Sequence, residues 1–445
     1  MEIALAPEDV LARVPTERRG SFVPPNEILP AEREHVRGRG SRHRVALWAT
    51  MGLILTIGIF LRIFPTASFP QVGYDEHGYM VFVQQIEKAG VWNYDAVIDV
   101  YKERQYKIPQ AVVPATRLGF LIPAALVGEI FRVQPFRALH ITAAAAGVLL
   151  LILSGLFAYR AGSARMMLGV TALMATAPLQ VYLSQRALID GYFAFWATAA
   201  VWLAWENLRQ PRHLGWLAAY ALSLTILTLT KENAAFVVAA IFGVLVLNRF
   251  LKMGTVTPQL FAATIIGPAL AILVLAALMG GLEQWVDFNR MFVAKSRTNF
   301  YSIMAQDGPW YRYAVDWVIV SPALVAFATA RLFQMRRSDQ IGTFFAAFLL
   351  LSFAAMSAVK YGISLRYAAY WDLPICWLTC SQAIALRSRF AQVRPALVLG
   401  GCILLLSAIG VNQYVRFFVV GGVYDPVTAG LVWSSGMEKA KPPTP

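Results

Sequence analysis

The sequence predicts an all-α polytopic membrane protein, and three observations carry that reading. The 445-residue chain is 58% hydrophobic and only 14% charged, whereas a soluble chain carries about a quarter charged residues. Apolar runs recur at close to the ~20 residues that a helix needs to cross the hydrocarbon layer. Basic residues collect in every second connection between those runs, the signature of cytoplasmic links. The formal charge of +14 is therefore topological. No basic stripe interleaved with aromatics speaks for a nucleic-acid partner.

Residues 1–44 are polar and rich in Pro, Glu and Arg, too poor in apolar side chains to fold alone. They read as a disordered cytoplasmic tail ending in the basic run "REHVRGRGSRHR". No small-residue cleavage site follows, so the first apolar run is expected to stay as an anchor. The runs fall at about 45–64, 137–159, 164–183, 187–206, 214–230, 233–251, 258–280, 312–332, 341–358, 367–386 and 395–414. With the tail inside, the inner links hold Arg160 and Arg165; Arg209 and Arg212; Arg249 and Lys252; Arg331, Arg336 and Arg337; and Arg387, Arg389 and Arg394. The transmembrane domain thus covers 45–414, and 415–445 reads as an extracytoplasmic tail with a proline-rich end. Cys376, Cys380 and Cys402 all lie in apolar runs and read as packing residues.

Two connections on the far side are long, 65–136 and 281–311, and long loops in compact proteins are usually functional. Within the first, "DEHGYMVFVQQIEKAG" predicts a short surface helix. Asp75 would cap it, Met80, Phe82, Val83 and Ile86 would form its apolar side, and Gly90 would end it. A second amphipathic piece is expected through "ATRLGFLIPAALVGEIFR".

The remaining ionisable residues gather on the outer side. Asp75 and Glu76 open the surface helix, Lys107 lies in "YKIP", and Asp190 opens the fourth run with Arg186 one turn earlier. Lys231 and Glu232 occupy the turn "LTLTKENAAF"; Lys360, Arg366 and Tyr367 occupy "KYGISLRY", and Asp372 follows. Each has a bland reading: a cap, a local Arg186–Asp190 pair, a wet turn, an arginine reaching for headgroups. Yet a charge within a span costs about 2.5–3.5 kcal/mol on insertion scales, and distant segments bring both signs to one leaflet. Carboxylates beside cations suit a base that removes a proton while an anionic leaving group is stabilised. Asp75, Glu76 and His77 are all metal-ligand types, but consecutive side chains fan out around a helical turn, so a divalent metal is the less favoured alternative and no cofactor is assigned.

In this order these motifs resemble the polyprenyl-phosphate-sugar-dependent glycosyltransferases of the GT-C fold. The likeness is greatest to the bacterial branch related to protein O-mannosyltransferases, aminoarabinose transferase and the lipopolysaccharide galacturonic-acid transferases. It spans about residues 45–375 and rests on "YDEHGYM", "YKIPQAVVPATRLGFLIPAALVGEIFRVQPFRALHI", "PLQVYLSQRALIDGYFAFWATAAVWLAW", "LTILTLTKENAAFVV" and "SLRY". The resemblance implies Asp75 as the general base, with Asp190, the acidic residue opening the fourth run, as the alternative base, and Glu76 as the acidic neighbour that would bind the acceptor. It implies Lys107, Lys231, Arg366 and Tyr367 as donor-phosphate contacts. Glu232 departs from the family, standing where a small residue is usual, and no proline follows three residues after Tyr367.

The expected activity is inverting transfer of a sugar from a polyprenyl-phosphate donor to a hydroxyl of an extracytoplasmic glycolipid, envelope glycan or protein. The enzyme would sit in a bacterial inner membrane, N-terminus inside and site on the periplasmic face. The competing readings are a flippase or transporter of lipid-linked sugars and a lipid-diphosphate-dependent polysaccharide polymerase or ligase.

Overall fold

The computed structural model describes residues 30–64, 72–108, 111–299, 302–303, 306–336, 338–359, 362–387 and 395–422. Among them there is no strand, and helices make up most of the described residues. Residues 1–48 form one unit and 49–445 another. Helix α1 (Pro30–Ile63) begins inside the stretch expected to be a tail without fold, so residues 30–44 are helical in backbone. The remainder of that tail, and most of the C-terminal one, lie outside the described residues, as does Lys360.

All eleven apolar runs fall on helix. Among the described residues, six helices are long and apolar enough to cross a membrane by themselves: α1 from Arg44, α5 (Pro135–Ala161), α10 (Ala234–Leu251), α11 (Pro258–Leu278), α15 (Gln340–Ser357) and α17 (Pro395–Tyr414). A seventh candidate is a bent pair of helices. The run at 164–183 divides into α6 (Ala164–Ala175) and α7 (Pro178–Ser184), bent by 60°. Pro178 lacks the N–H that would continue the ladder, and the Met174 carbonyl at the end of α6 is left with a long 3.4 Å bond from the Ala177 N–H. Arg62 caps this end, donating to the carbonyls of Met174 at 2.8 Å and Ala175 at 3.1 Å, and also to Gly147 and Gly58. A cation at a helix C-terminus also meets the negative end of its dipole.

The other runs are α8 (Ile189–Arg209) and α9 (Leu214–Thr230); α13 (Arg312–Val320) with α14 (Pro322–Gln334), split at Ser321; and α16 (Asp372–Arg387). The last is entered through a 3₁₀ turn, Leu365–Trp371, so the run expected from 367 starts as a tighter coil. Among the inner links, Arg160 pairs bidentately with the buried Glu206, at 2.7 and 3.1 Å.

The first long connection folds into three helices. These are α2 (Tyr74–Ala89), α3 (Tyr94–Lys107) and α4 (Leu118–Phe131). The first and last were expected and the middle one was not. Helix α2 ends as anticipated, with Gly90 at φ 78° closing back on Ile86. It does not begin as anticipated: Gly73 is the cap position and Asp75 lies inside the first turn. Glu76 instead accepts the Gly73 N–H, at 2.6 Å. Part of the second long connection is also helical, as α12 (Leu282–Thr298), reached through Gly280 and Gly281 at φ 89° and 129°. The Lys295 ammonium ties α12 to the end of α3 through the Ile108 carbonyl, at 2.9 Å.

Candidate active site

Five segments converge on one cluster. The first turn of α2 supplies Asp75, the start of α8 Asp190, and the residue after α9 Lys231; the 3₁₀ turn supplies Arg366 and Tyr367. The residue before α4 supplies Arg117. Close approach of α4 to α9 depends on Gly119, where a Cβ would lie 2.6 Å from Thr230 Oγ1 and 2.8 Å from Thr230 N.

The Arg366 guanidinium donates to Asp75 at 2.7 Å and lies 3.9 Å from Asp190. Lys231 donates to Asp190, and its ammonium stands 3.6 Å from the centre of the Tyr367 ring, a cation–π contact. Arg117 bonds Glu232 at 3.0 Å and the Tyr79 hydroxyl. Burial pushes the Lys231 ammonium down to about 8, with Arg117 and Arg366 adding to the effect and Asp190 opposing it. The two aspartates differ in access: the Asp75 side chain is 21% exposed and that of Asp190 2%. Of the two carboxylates, Asp75 is the one open to solvent.

Of the seven residues singled out by sequence, Asp75, Asp190, Lys231, Arg366 and Tyr367 come together. Glu76 is adjacent but turned away. It is 1% exposed, and its oxygens are taken by Arg186, by the Ala187 N–H at 2.9 Å and by the Gly73 N–H. A carboxylate so engaged is a structural tie, and Arg186 pairs with it instead of forming the local pair with Asp190. Lys107 is not in the cluster. It is the last residue of α3, its side chain is 71% exposed, and its ammonium bonds Glu103 one turn earlier. Arg117, which sequence reading passed over, is the cation that the first connection contributes. Its signal was an arginine immediately preceding the apolar run "LGFLIPAAL", too short a cue when a lysine stood ten residues upstream. Among the described residues no group of three His, Cys, Asp or Glu side chains is placed to hold a metal.

The helical architecture is that of the GT-C fold, as the sequence motifs implied. Residues 127–277, about a third of the chain, match the model of the dolichyl-phosphate-mannose-protein mannosyltransferase family. That segment includes Asp190 and Lys231. Among solved structures, ArnT from Cupriavidus metallidurans in the apo state is similar with a TM-score of 0.50 at 14% identity, over 85% of this chain and 76% of that one. The oligosaccharyltransferase AglB from Archaeoglobus fulgidus, in complex with an inhibitory peptide and a dolichol-phosphate, is similar with a TM-score of 0.54 at 14% identity. The match covers 83% of this chain and 56% of AglB, so the chain spans little more than half of that protein. No curated protein sequence matches the chain.

Proposed function

We propose that this protein is a membrane glycosyltransferase that moves a sugar from a polyprenyl-phosphate donor to an acceptor hydroxyl, with inversion. The observation that carries this reading is the Asp75–Arg366 ion pair, which joins segments 291 residues apart beside the buried Lys231. It puts a base within reach of a hydroxyl and cations within reach of a phosphate, side by side. The family match, named for a dolichyl-phosphate-mannose donor, and the AglB complex with a dolichol-phosphate support the donor class.

In this reading the donor phosphate enters between Lys231, Arg366 and Arg117 and competes with Asp75 for Arg366. Release from that ion pair frees the Asp75 carboxylate to accept the proton of the attacking hydroxyl. As the acceptor oxygen bonds to the anomeric carbon, the bond from that carbon to the phosphate oxygen breaks. The polyprenyl phosphate leaves with the electron pair and needs charge compensation, not a proton. Cations fixed in a poorly hydrated site supply that compensation better than the same groups in water. Asp190 holds Lys231 in place, and Glu76 anchors the turn that carries Asp75.

The links rich in Arg and Lys alternate with the connections that carry the cluster, which supports a site on the extracytoplasmic face of a bacterial inner membrane and a cytoplasmic N-terminus. The acceptor is accordingly an envelope glycolipid, glycan or protein. The test offers reconstituted protein a panel of sugars on polyprenyl monophosphate and on polyprenyl diphosphate. Consumption of a monophosphate donor, with a new glycosidic bond, is expected. Consumption of diphosphate donors alone, or movement of lipid-linked sugar across the bilayer without bond formation, would overturn the reading.

A further inference from the structure

One short segment touches both halves of the site. Gln180, on α7, donates both hydrogens of its side-chain amide: to the Ala369 carbonyl at 2.7 Å and to the Asp372 carboxylate at 2.7 Å. Ala369 lies in the 3₁₀ turn that carries Arg366 and Tyr367. Six residues on, Arg186 grips Glu76 with Nε at 2.9 Å and with its second nitrogen, and the Ala187 N–H joins them. Glu76 is the neighbour of Asp75. Between these arms Gln185 donates to the Leu61 and Phe64 carbonyls at the end of α1 and accepts from the Tyr414 hydroxyl. Gln180, Gln185, Arg186, Glu76 and Asp372 are each 3% exposed or less, apart from Arg186 at 5%.

We infer that the segment 180–187 is a positioning strut which sets the spacing between Asp75 and the Arg366–Tyr367 turn, with Gln180 governing the phosphate side and Arg186 the base side. The segment follows the 60° break between α6 and α7, so it departs from the line of the α6 helix. Neither side chain meets a reacting atom. Gln180 acts through the turn that holds Arg366 and the Tyr367 ring against Lys231, and Arg186 acts through the residue beside the base. Their loss should therefore be felt in different kinetic constants, although they are six positions apart.

The inference rests on the function proposed above, and its test separates the two. Undecaprenyl phosphate is the binding probe, and turnover is read with whichever monophosphate donor the panel identifies. Arg186→Lys keeps the charge but loses the fork. It should leave undecaprenyl phosphate affinity within about twofold and lower turnover about 10²-fold, as an ångström of misplacement can. Gln180→Met should weaken undecaprenyl phosphate about tenfold, the scale of one lost buried hydrogen bond, with turnover at saturating donor within about twofold. Adding Asp372→Asn to Gln180→Met removes the stranded carboxylate, protects folding and should leave the affinity loss in place. If each variant lowers affinity and turnover together, or changes neither, the strut does not exist as described. Wild-type protein that transfers no sugar from any monophosphate donor defeats the functional reading alone. Undecaprenyl phosphate binding still decides the inference, since Gln180→Met must weaken it and Arg186→Lys must not.

Discussion

Lys231 is held between two unlike partners: the Asp190 carboxylate, which its ammonium bonds, and the face of Tyr367, 3.6 Å away. It is 3% exposed, and its pKa is brought down from 10.5 to about 8, chiefly by burial. The sign follows directly. Below about pH 8 the ammonium is charged and can help hold a phosphate; above it the charge is lost. Donor KM is therefore expected to rise as pH passes about 8, and Lys231→Arg, which stays protonated, should flatten the profile. Steady-state kinetics across that pH checks it, and a flat wild-type profile would remove Lys231 from phosphate binding.

Asp75→Asn should lower turnover by about 10²–10⁴-fold, the usual worth of a positioned base. Donor binding should hold or tighten, because the asparagine no longer competes for Arg366 with a full charge. Separate measurement of kcat and of undecaprenyl phosphate affinity reads the two effects. An unchanged kcat would transfer the role of base to another group.

Arg117→Ala and Lys107→Ala make a contrasting pair. The first removes a buried cation beside Glu232 and should raise donor KM about tenfold or more. The second removes an exposed side chain that pairs with Glu103, one helical turn away, and should leave KM unchanged, since such surface pairs are screened. A donor titration of both variants would show whether the cation supplied by the first connection is Arg117.

Asp190→Ala should act mainly on stability. It leaves Lys231 buried beside Arg366 with no carboxylate bonded to it, and breaking a buried pair from one side typically costs about 3–5 kcal/mol. Thermal unfolding in detergent is expected to shift well downward, whereas Asp75→Asn, at the more exposed position, should unfold close to wild type. Equal shifts would mean that the two carboxylates are equivalent.

Much of the architecture was legible because membrane insertion imposes length and charge rules on the primary structure. Every apolar run became helix, and the one-sided distribution of Asp75, Asp190, Lys231 and Arg366 pointed to the cluster in which they meet. What could not be read was local register. Glu76 and Asp75 look interchangeable as neighbours, but the step of about 100° between adjacent helical residues sends Glu76 inward to Arg186 and leaves Asp75 at the rim. Lys107 looked well placed before Pro109, yet α3 ends there with the lysine directed to solvent. Helices α3 and α12 are polar enough to pass as loops, and the contacts that stabilise them, such as the Tyr101 ring 4.9 Å from that of Phe288, come from segments far apart in sequence.

Arg62 shows where simple tallies of sensitive positions would mislead. Its guanidinium stitches the broken end of α6 to α1 and α5 through four main-chain oxygens, so replacing it should abolish function as thoroughly as replacing Arg366. A survey that ranked arginines by lost output alone would place the two side by side. Only the yield of folded protein tells a hinge pin from the phosphate clasp proposed for Arg366.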